Sequence, residues 1–582
     1  MTKRRRPIFS SWQRQLLSEL KDLSKNQPGE IRVEGQPKLE AGGEAVVAVV
    51  LNTSGLLQEP EGLRLRNEEE FVIRIGDSAL TPPVVDVKHL RFIGFPHVLQ
   101  GRRLCLFLDP SREWYPSLGM AGMLNRLWGW LADAVGARFD PRTSMYHAVG
   151  GVLHQSVGTP TIVVREGDAL ESHQVARLVE RSSHRLDLTF STHMVGLRTP
   201  VFRLDSALPL GASSSFVDLL YLIDNPYLRR GDLNGSVGGK KSDAFVSALA
   251  ACALRNPGGS PQYFVLCVPH PGGGAPHLLG GRLPSAAAEA LREVARNQGT
   301  AITLDTTKLK NRIDVEWCKM SDERHEVTTR RDQSRPVSGF LGKSVHVWGC
   351  GGLGSWIAEF VARAGVARIT LCDPGVITGG LLVRQNYAEG DIGLTKAEAL
   401  AVRVQDIRDD LSVDVVAGAI PENFTDCLAA DIIIDATVSN AITQVLDVIA
   451  AHSGCKAIIA QVATDAATGT LGLLNVCAPS SSLQPSTVDD MAGQAIKADA
   501  DLEIFHKLWQ EPEDGVELIP TRGCSVPTFH GSAADLASVA AVLTSLLGKH
   551  MQSAATPSGT HVISLPHAGN SRPHVFLPLG AA

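Results

Sequence analysis

The 582 residues contain no C-x-x-C pair, although ten cysteines are spread along the chain at positions 105, 252, 267, 318, 350, 372, 427, 455, 477 and 524. That spacing suggests neither a zinc knuckle nor a disulfide framework, so most of the thiols are expected to be buried. No apolar run approaches the ~18 residues needed to span a bilayer. The opening MTKRRRPIFSSWQRQLLSEL has a basic start but lacks the apolar core of a secretion signal. A cytoplasmic protein with no membrane partner is expected. Charge of one sign is missing too: 55 Lys and Arg stand against 61 Asp and Glu, a formal net charge of −6. No broad basic surface for nucleic acid is implied. No internal repeat is present. What remains, 44% hydrophobic and 20% charged residues, is globular, and the length suits about four domain-sized units or three larger ones.

Three regions follow from the pattern. Trp12, Leu16, Leu17, Leu20 and Leu23 recur at helical spacing over residues 10–23; strands are expected at 42–51 and 70–75, and a second amphipathic helix at 118–135. This is an α+β unit over residues 1–145. Residues 146–325 mix strands (161–164, 264–268) with helices (242–254, 284–298) between Gly/Pro-rich stretches, a central mixed α/β linker domain. From 326 to 582 strand and helix alternate, with strands at 344–349, 367–372, 431–435 and 456–461. The alternation predicts a helix-covered parallel sheet, α/β and Rossmann-like. Residues 480–519 read as a polar loop.

Strand SVHVW leads into Gly349-Cys-Gly351-Gly-Leu-Gly354 and a helix ending at Gly365. Such spacing permits a tight turn that brings phosphates against the N–H groups of a helix N-terminus. The next strand ends at Asp373, where a carboxylate can accept from ribose hydroxyls. Arg384-Gln385-Asn386 and Asp391-x-Gly393-x-x-Lys396 follow. Hydride transfer has no need of cations converging just past the ribose, whereas adenylation needs them on a triphosphate. In these elements the chain resembles the ThiF/MoeB/ubiquitin-activating superfamily over about 250 residues. The resemblance implies that Gly349, Gly351 and Gly354 form the phosphate turn of ATP, Asp373 holds the ribose, and Arg384, Gln385 and Lys396 flank the phosphates. The family's D-x-T-D-N reads Asp435-Ala-Thr437-Val-Ser-Asn440 here. Either Asp435 holds Mg2+, or the metal relies on phosphates and water.

Two cysteines have chemical contexts. Cys524 follows Arg522-Gly in a Pro-punctuated stretch that enters an apolar helix, a setting that favours thiolate. Cys105 lies in Phe95-Pro-His97-Val-Leu-Gln-Gly101-Arg-Arg-Leu-Cys105-Leu, followed by Trp114-Tyr-Pro116 and a helix ending Trp128-Gly-Trp130. This second pattern resembles the ubiquitin-conjugating fold over about 140 residues, with Val98 and Leu99 where that family carries an Asn after His-Pro. Cys105 would be the conjugating thiol, exposed by a turn at Gly101.

A conjugating unit, a linker and an activating unit in this order resemble the fused conjugating–activating enzymes of bacterial CBASS antiphage operons. The resemblance implies ATP-dependent adenylation of a partner's C-terminus, capture by Cys524, transfer to Cys105 and ligation to an amine, the partner being a cyclic-oligonucleotide synthase. It also implies a separate JAB-type deconjugase, and a homodimer to which Arg330 and Arg331 contribute across the interface. Three alternatives stay open: a separate ubiquitin-like protein as the conjugated partner, a sulfur-carrier adenylyltransferase, and a binding scaffold with dead sites.

Overall fold

The structure, a computed structural model, describes residues 8–40, 42–89, 91–92, 95–99, 103–139, 156–167, 170, 174–206, 208, 215–224, 240–269, 275–298, 313–324, 332–479, 481, 483–510, 531–553 and 557–579. The chain divides into two compact units, Met1–Thr329 and Arg330–Ala582.

In the first unit, α1 (Ser11–Asn26) starts in a capping box between Ser10 and Gln13 and buries Trp12, Leu16 and Leu20. It precedes β1 (Ile31–Leu39), β2 (Ala45–Asn52), β3 (Glu68–Ile75), β4 (Val84–Val87), β5 (Val98–Leu99) and β6 (Arg103–Leu104), then the short α2 (Pro110–Glu113) and α3 (Gly119–Val135). The sheet order is β1-β2-β3-β4-β6-β5. Strand β2 alternates buried and part-buried residues without a break, as a strand with one face on a core must. Strand β1 is absent from the sequence reading because Pro37 and its charged neighbours argue against a strand. It lies at the sheet edge, where the register slips between Glu34 and Lys38, and edge strands tolerate Pro. Helix α3 is anchored on α1: Gly119, at φ 56, starts the helix, and the Met120 N–H donates to Glu19 Oε2 at 2.7 Å. A Cβ on Gly119 would come within 2.5 Å of that carboxylate.

The same unit contains β7 (Thr161–Val164), β8 (Gln174–Ser182), β9 (Arg185–Thr189), β10 (Leu197–Arg203), α4 (Phe216–Asp224), α5 (Lys240–Arg255), β11 (Gln262–Val268), β12 (His277–Leu283), α6 (Ser285–Gln298), β13 (Glu316–Cys318) and β14 (Met320–Asp322). The mixed region expected here is a barrel. Strands β13 and β14 are successive parts of one stretch; β13 pairs with β12 and β14 with β7, so the order β13-β12-β11-β10-β8-β9-β7-β14 closes on itself. Ile162, Leu178, Val265 and Cys318 fill the inside. Gly280 is required there, since a Cβ would lie 2.5 Å from Met320 Sδ and 2.9 Å from Ile162 Cδ1. Phe202, Phe245 and Phe264 pack together on the outer, helix-covered face.

The second unit runs β15 (Ser344–Trp348), α7 (Gly354–Ala364), β16 (Arg368–Cys372), α8 (Lys396–Ile407), β17 (Ser412–Val416), α9 (Phe424–Ala429), β18 (Ile432–Asp435), α10 (Asn440–Ala451), β19 (Ile458–Thr464), β20 (Leu471–Cys477), α11 (Pro485–Ala498), α12 (Ala533–Gln552), β21 (Gly559–Ser564) and β22 (His574–Pro578). Its sheet, ordered β17-β16-β15-β18-β19-β20-β21-β22, is parallel through β19 and antiparallel from there to β22. The expected parallel sheet is therefore half of a mixed one. The reason is local: residues 465–470 are too few for a crossover, and Asp465 closes them into a turn by accepting from the N–H groups of Thr468, Thr470 and Leu471 at 2.7–2.9 Å. The polar loop expected over 480–519 is also corrected. Pro485 sits in the first turn of α11, which buries Val488, Ala492 and Ile496, and a 3-10 stretch, Ala500–Trp509, follows it. Residues 511–519 lie outside the described ones. Among the described residues, no helix is long and apolar enough to cross a membrane.

Candidate active sites

Strand β15 delivers the chain to Gly349 at the carboxyl edge of the parallel strands, where open α/β sheets bind ligands. Gly349 has φ 84, and a Cβ there would stand 2.9 Å from the Ala436 carbonyl carbon; one on Gly354 would stand 1.8 Å from Gly349 O. At Gly351 nothing lies within 4 Å of the same position. Two glycines are thus spent on close packing, and the middle one leaves its backbone approachable.

Asp373 ends up 8% exposed beside this turn. Its Oδ2 accepts from the Cys350 N–H and its Oδ1 from the Gly375 N–H, both at 2.7 Å. Lys396, first residue of α8, has its Nζ 4.0 Å from Asp373 Oδ2, and its N–H donates to Gly375 O at 2.9 Å. Tyr387 Oη lies 2.7 Å from Cys350 O and 3.3 Å from Lys396 O, joining the turn to α8. Gln385 is 7% exposed, and its Oε1 has no partner among the described residues. Partial burial pulls the Arg384 guanidinium below its ordinary pKa. The Arg384 carbonyl accepts from Trp356 Nε1 of α7 at 3.3 Å.

Sequence reading missed the residues that tie these parts together. Glu359, on α7, accepts from Asn386 Nδ2 at 2.7 Å, Arg403 Nε at 2.8 Å and Arg363 Nε at 2.9 Å. One buried carboxylate so joins the turn's helix, the 384–386 segment and α8. Asn386 N–H also donates to Ser355 Oγ at 3.1 Å. The available signal was a polar pair, Ser355 and Glu359, four apart among the buried positions of α7.

The donor set suits a nucleoside triphosphate: an open backbone turn, a desolvated guanidinium, an ammonium, and a buried acceptor that only a donor such as a hydroxyl or amine can satisfy. It does not suit a metal held by Asp435. That residue is 2% exposed at the end of β18. Its Oδ1 accepts from Thr437 N–H at 2.9 Å and Thr437 Oγ1 at 2.6 Å, and its Oδ2 from Gln461 Nε2 at 3.1 Å. Among the described residues no group of three or more His, Cys, Asp or Glu is gathered to hold a metal.

In the first unit, Cys105 directly follows β6 and is half-buried. Its N–H donates to His97 O at 2.9 Å, and its Sγ is 3.7 Å from Phe107 O. His97 takes φ 62, uncommon for a non-glycine residue, and its ring packs 4.7 Å from that of Phe139. Trp114 braces the loop: its Nε1 donates to Ala79 O at 2.9 Å, and its ring meets Phe107 at 5.9 Å and Trp12 at 6.4 Å. Burial, then the Glu113 carboxylate, pushes the Cys105 thiol up, and Arg126 opposes them. Burial also pushes up the thiols of Cys252, Cys267, Cys318, Cys350, Cys427 and Cys477, and that of Cys372 to about 12. Gly101, Cys524, Arg330 and Arg331 lie outside the described residues. The chain returns at Gly531, and the Ala533 N–H donates to Val383 O at 2.8 Å, one residue before Arg384.

Residues 340–560 match the ThiF family model, residues 191–323 that of the Cap2 central linker domain, and residues 23–148 that of prokaryotic E2 family A. The tRNA threonylcarbamoyladenosine dehydratase of Escherichia coli is 38% identical over 90 residues, 15% of this chain and 34% of that protein. The SAMP-activating enzyme E1 of Haloferax volcanii is 32% identical over 100 residues, 17% of this chain and 37% of that protein. The chain spans about a third of the length of these curated relatives. Among solved structures, E. coli MccB with ATP is 19% identical with a TM-score of 0.30, over 42% of this chain and 67% of that one.

Proposed function

We propose that the chain is a fused activating and conjugating enzyme that joins the C-terminus of a protein to an amine, with domains at 1–145, 146–325 and 326–582. ATP supplies an activated α-phosphorus. A partner's carboxylate oxygen bonds to that phosphorus as the bond to pyrophosphate breaks, with Arg384 and Lys396 set against the charge, Gln385 orienting the nucleotide and Asp373 at the ribose. Cys524 then takes the acyl group and releases AMP. Cys105 follows by exchange: its S–H proton leaves, its sulfur bonds to the acyl carbon, and the Cys524 thiolate departs and is reprotonated. An amine takes the acyl group last. Magnesium is assigned to the phosphates and water rather than to Asp435.

One observation carries this reading: the open Gly351 turn, the Lys396 ammonium and the unpartnered Gln385 oxygen converge at one sheet edge. Cys524, seven residues before Gly531 in the sequence, is assigned as the acyl acceptor. The order of the three family matches supports the pairing of activation with conjugation. We assign the partner as a cyclic-oligonucleotide synthase in bacterial antiphage defence, with a separate JAB-type protein reversing the conjugate in the cytoplasm.

Trapping the covalent states tests the relay. With ATP, magnesium and the synthase, Cys105→Ala should accumulate a thiol-sensitive adduct on Cys524, and Cys524→Ala should carry none on either cysteine. An adduct reaching Cys105 in the Cys524→Ala chain would overturn the order. An adduct formed with a ubiquitin-like protein but not with the synthase would replace the partner.

A further inference from the structure

Just after Cys105 the backbone is held by two charged side chains that the relay does not use. Arg126, on α3, donates from Nε to Leu106 O at 2.6 Å. Its guanidinium lies over the Phe107 ring, 5.6 Å from the centroid, and its Nη2 pairs with Glu113 Oε2. Glu113, at the end of α2, accepts through Oε1 from the N–H groups of Leu108 and Asp109 at 3.1 and 2.9 Å. The four residues following the thiol are therefore clamped from both sides by one ion pair. Helix α3 supplies the cation and α2 the carboxylate.

The geometry points to Arg126 and Glu113 as an opposed positioning pair for Cys105. Arg126 is the cation set against negative charge on the sulfur, and Glu113 holds that cation in place and restrains it. This inference rests on Cys105 being the acyl-carrying thiol. Where the related pattern has an Asn after His-Pro, this chain has Val98, which offers no side-chain donor. A cation fastened to the next peptide group is the available substitute. The other charged and titratable groups nearby, among the described residues, are turned elsewhere. Arg103 donates to Asp86 at 3.0 Å, Asp109 caps Ser111, and His97 meets the cysteine through its carbonyl while its ring packs on Phe139. A thiol under balanced charges stays protonated at rest, which protects it from oxidation until an acyl donor arrives.

The opposed roles have opposite signatures. In the full-length chain, the rate of iodoacetamide labelling of the Cys105 peptide, followed by mass spectrometry across pH, reports the thiol's titration. Arg126→Ala should move that titration up and Glu113→Gln should move it down. Each shift should be about half a pH unit, or ~3-fold in labelling rate below the midpoint. Arg126→Lys, which keeps the charge but cannot span both partners, should stay near the parent midpoint. Gln at 113 can still accept from Leu108 and Asp109, so this variant retains the loop. Shifts of the same sign, or no shift in either variant, would overturn the pair, because a purely structural clamp predicts no opposition. Labelling needs no acyl partner: opposed shifts in a chain whose Cys105 never carries an adduct would leave the pair standing and remove the relay.

Discussion

At the scale of single residues, the segment packed against the glycine turn after β15 holds a strained backbone. Val438 has φ 56 while 77% exposed. A β-branched residue there is held against a preference of about 1–3 kcal/mol. The segment just before it, Ala436-Thr437, packs against Gly349, and Ser439 N–H bonds Thr437 Oγ1 at 3.3 Å. Asn accepts left-handed backbone more readily, so Val438→Asn should stabilise the second unit by about 1 kcal/mol and raise its Tm by ~2–4 °C in a calorimetric scan. A lower Tm would show that the valine is packed rather than strained. Lys396 makes a different prediction. If its ammonium meets charge developing on the phosphorus, Lys396→Ala should slow pyrophosphate exchange into ATP by on the order of 10²–10³. Normal exchange in that variant would remove the lysine from the chemistry. Both positions were visible in the motifs, but the strain at Val438 was not, since φ is decided by how the segment after β18 folds back on Gly349.

At the scale of elements, α12, β21 and β22 bring together three imidazoles. His550 Nε2 lies 2.8 Å from His561 Nε2, and His561 Nδ1 lies 2.9 Å from His574 Nε2. The first two are 4% and 5% exposed, and His561 stacks on Phe576 at 4.2 Å. Burial pulls His550 down to about 4, and burial with the neighbouring imidazoles pulls His561 down to about 3. In the folded state these groups are therefore neutral at a pH where the unfolded chain takes up protons. Their effect is absent above the ordinary value of 6.5 and grows as pH falls from there towards 4. The loss should reach ~2 kcal/mol for each of His550 and His561 by pH 5. His561→Phe should narrow the gap between urea midpoints at pH 7.5 and pH 5; an unchanged gap would place the acid sensitivity elsewhere. No sequence pattern announced this chain of histidines, which lie 11 and 13 residues apart and meet only because β21 pairs with β22 and packs against α12.

At the scale of the whole molecule, the proposed relay would make the second transfer a reaction between tethered thiols, whose rate should not depend on protein concentration. We expect a homodimer through the second unit. Light scattering that gives a monomer at micromolar concentration would refute it, and normal pyrophosphate exchange in an Arg330→Ala/Arg331→Ala chain would remove those arginines from the site. The sequence by itself determined the glycine turn after β15, the carboxylate ending β16 and the basic residues after it, and it singled out Cys105. Each of these is a local pattern, in which a strand, a turn and a helix follow within a few residues. It also settled that helices alternate with strands after residue 326, because periodicity is local. Only the tertiary structure decided the closure of the barrel, the antiparallel half of the second sheet, the Glu359 tie, the engagement of Asp435 by Thr437 and Gln461, and the clamp of Arg126 and Glu113. These depend on pairings between residues up to 158 positions apart, as at Ile162 and Met320. Such contacts are selected by the burial and hydrogen bonding of the assembled chain, which no window of neighbouring residues contains.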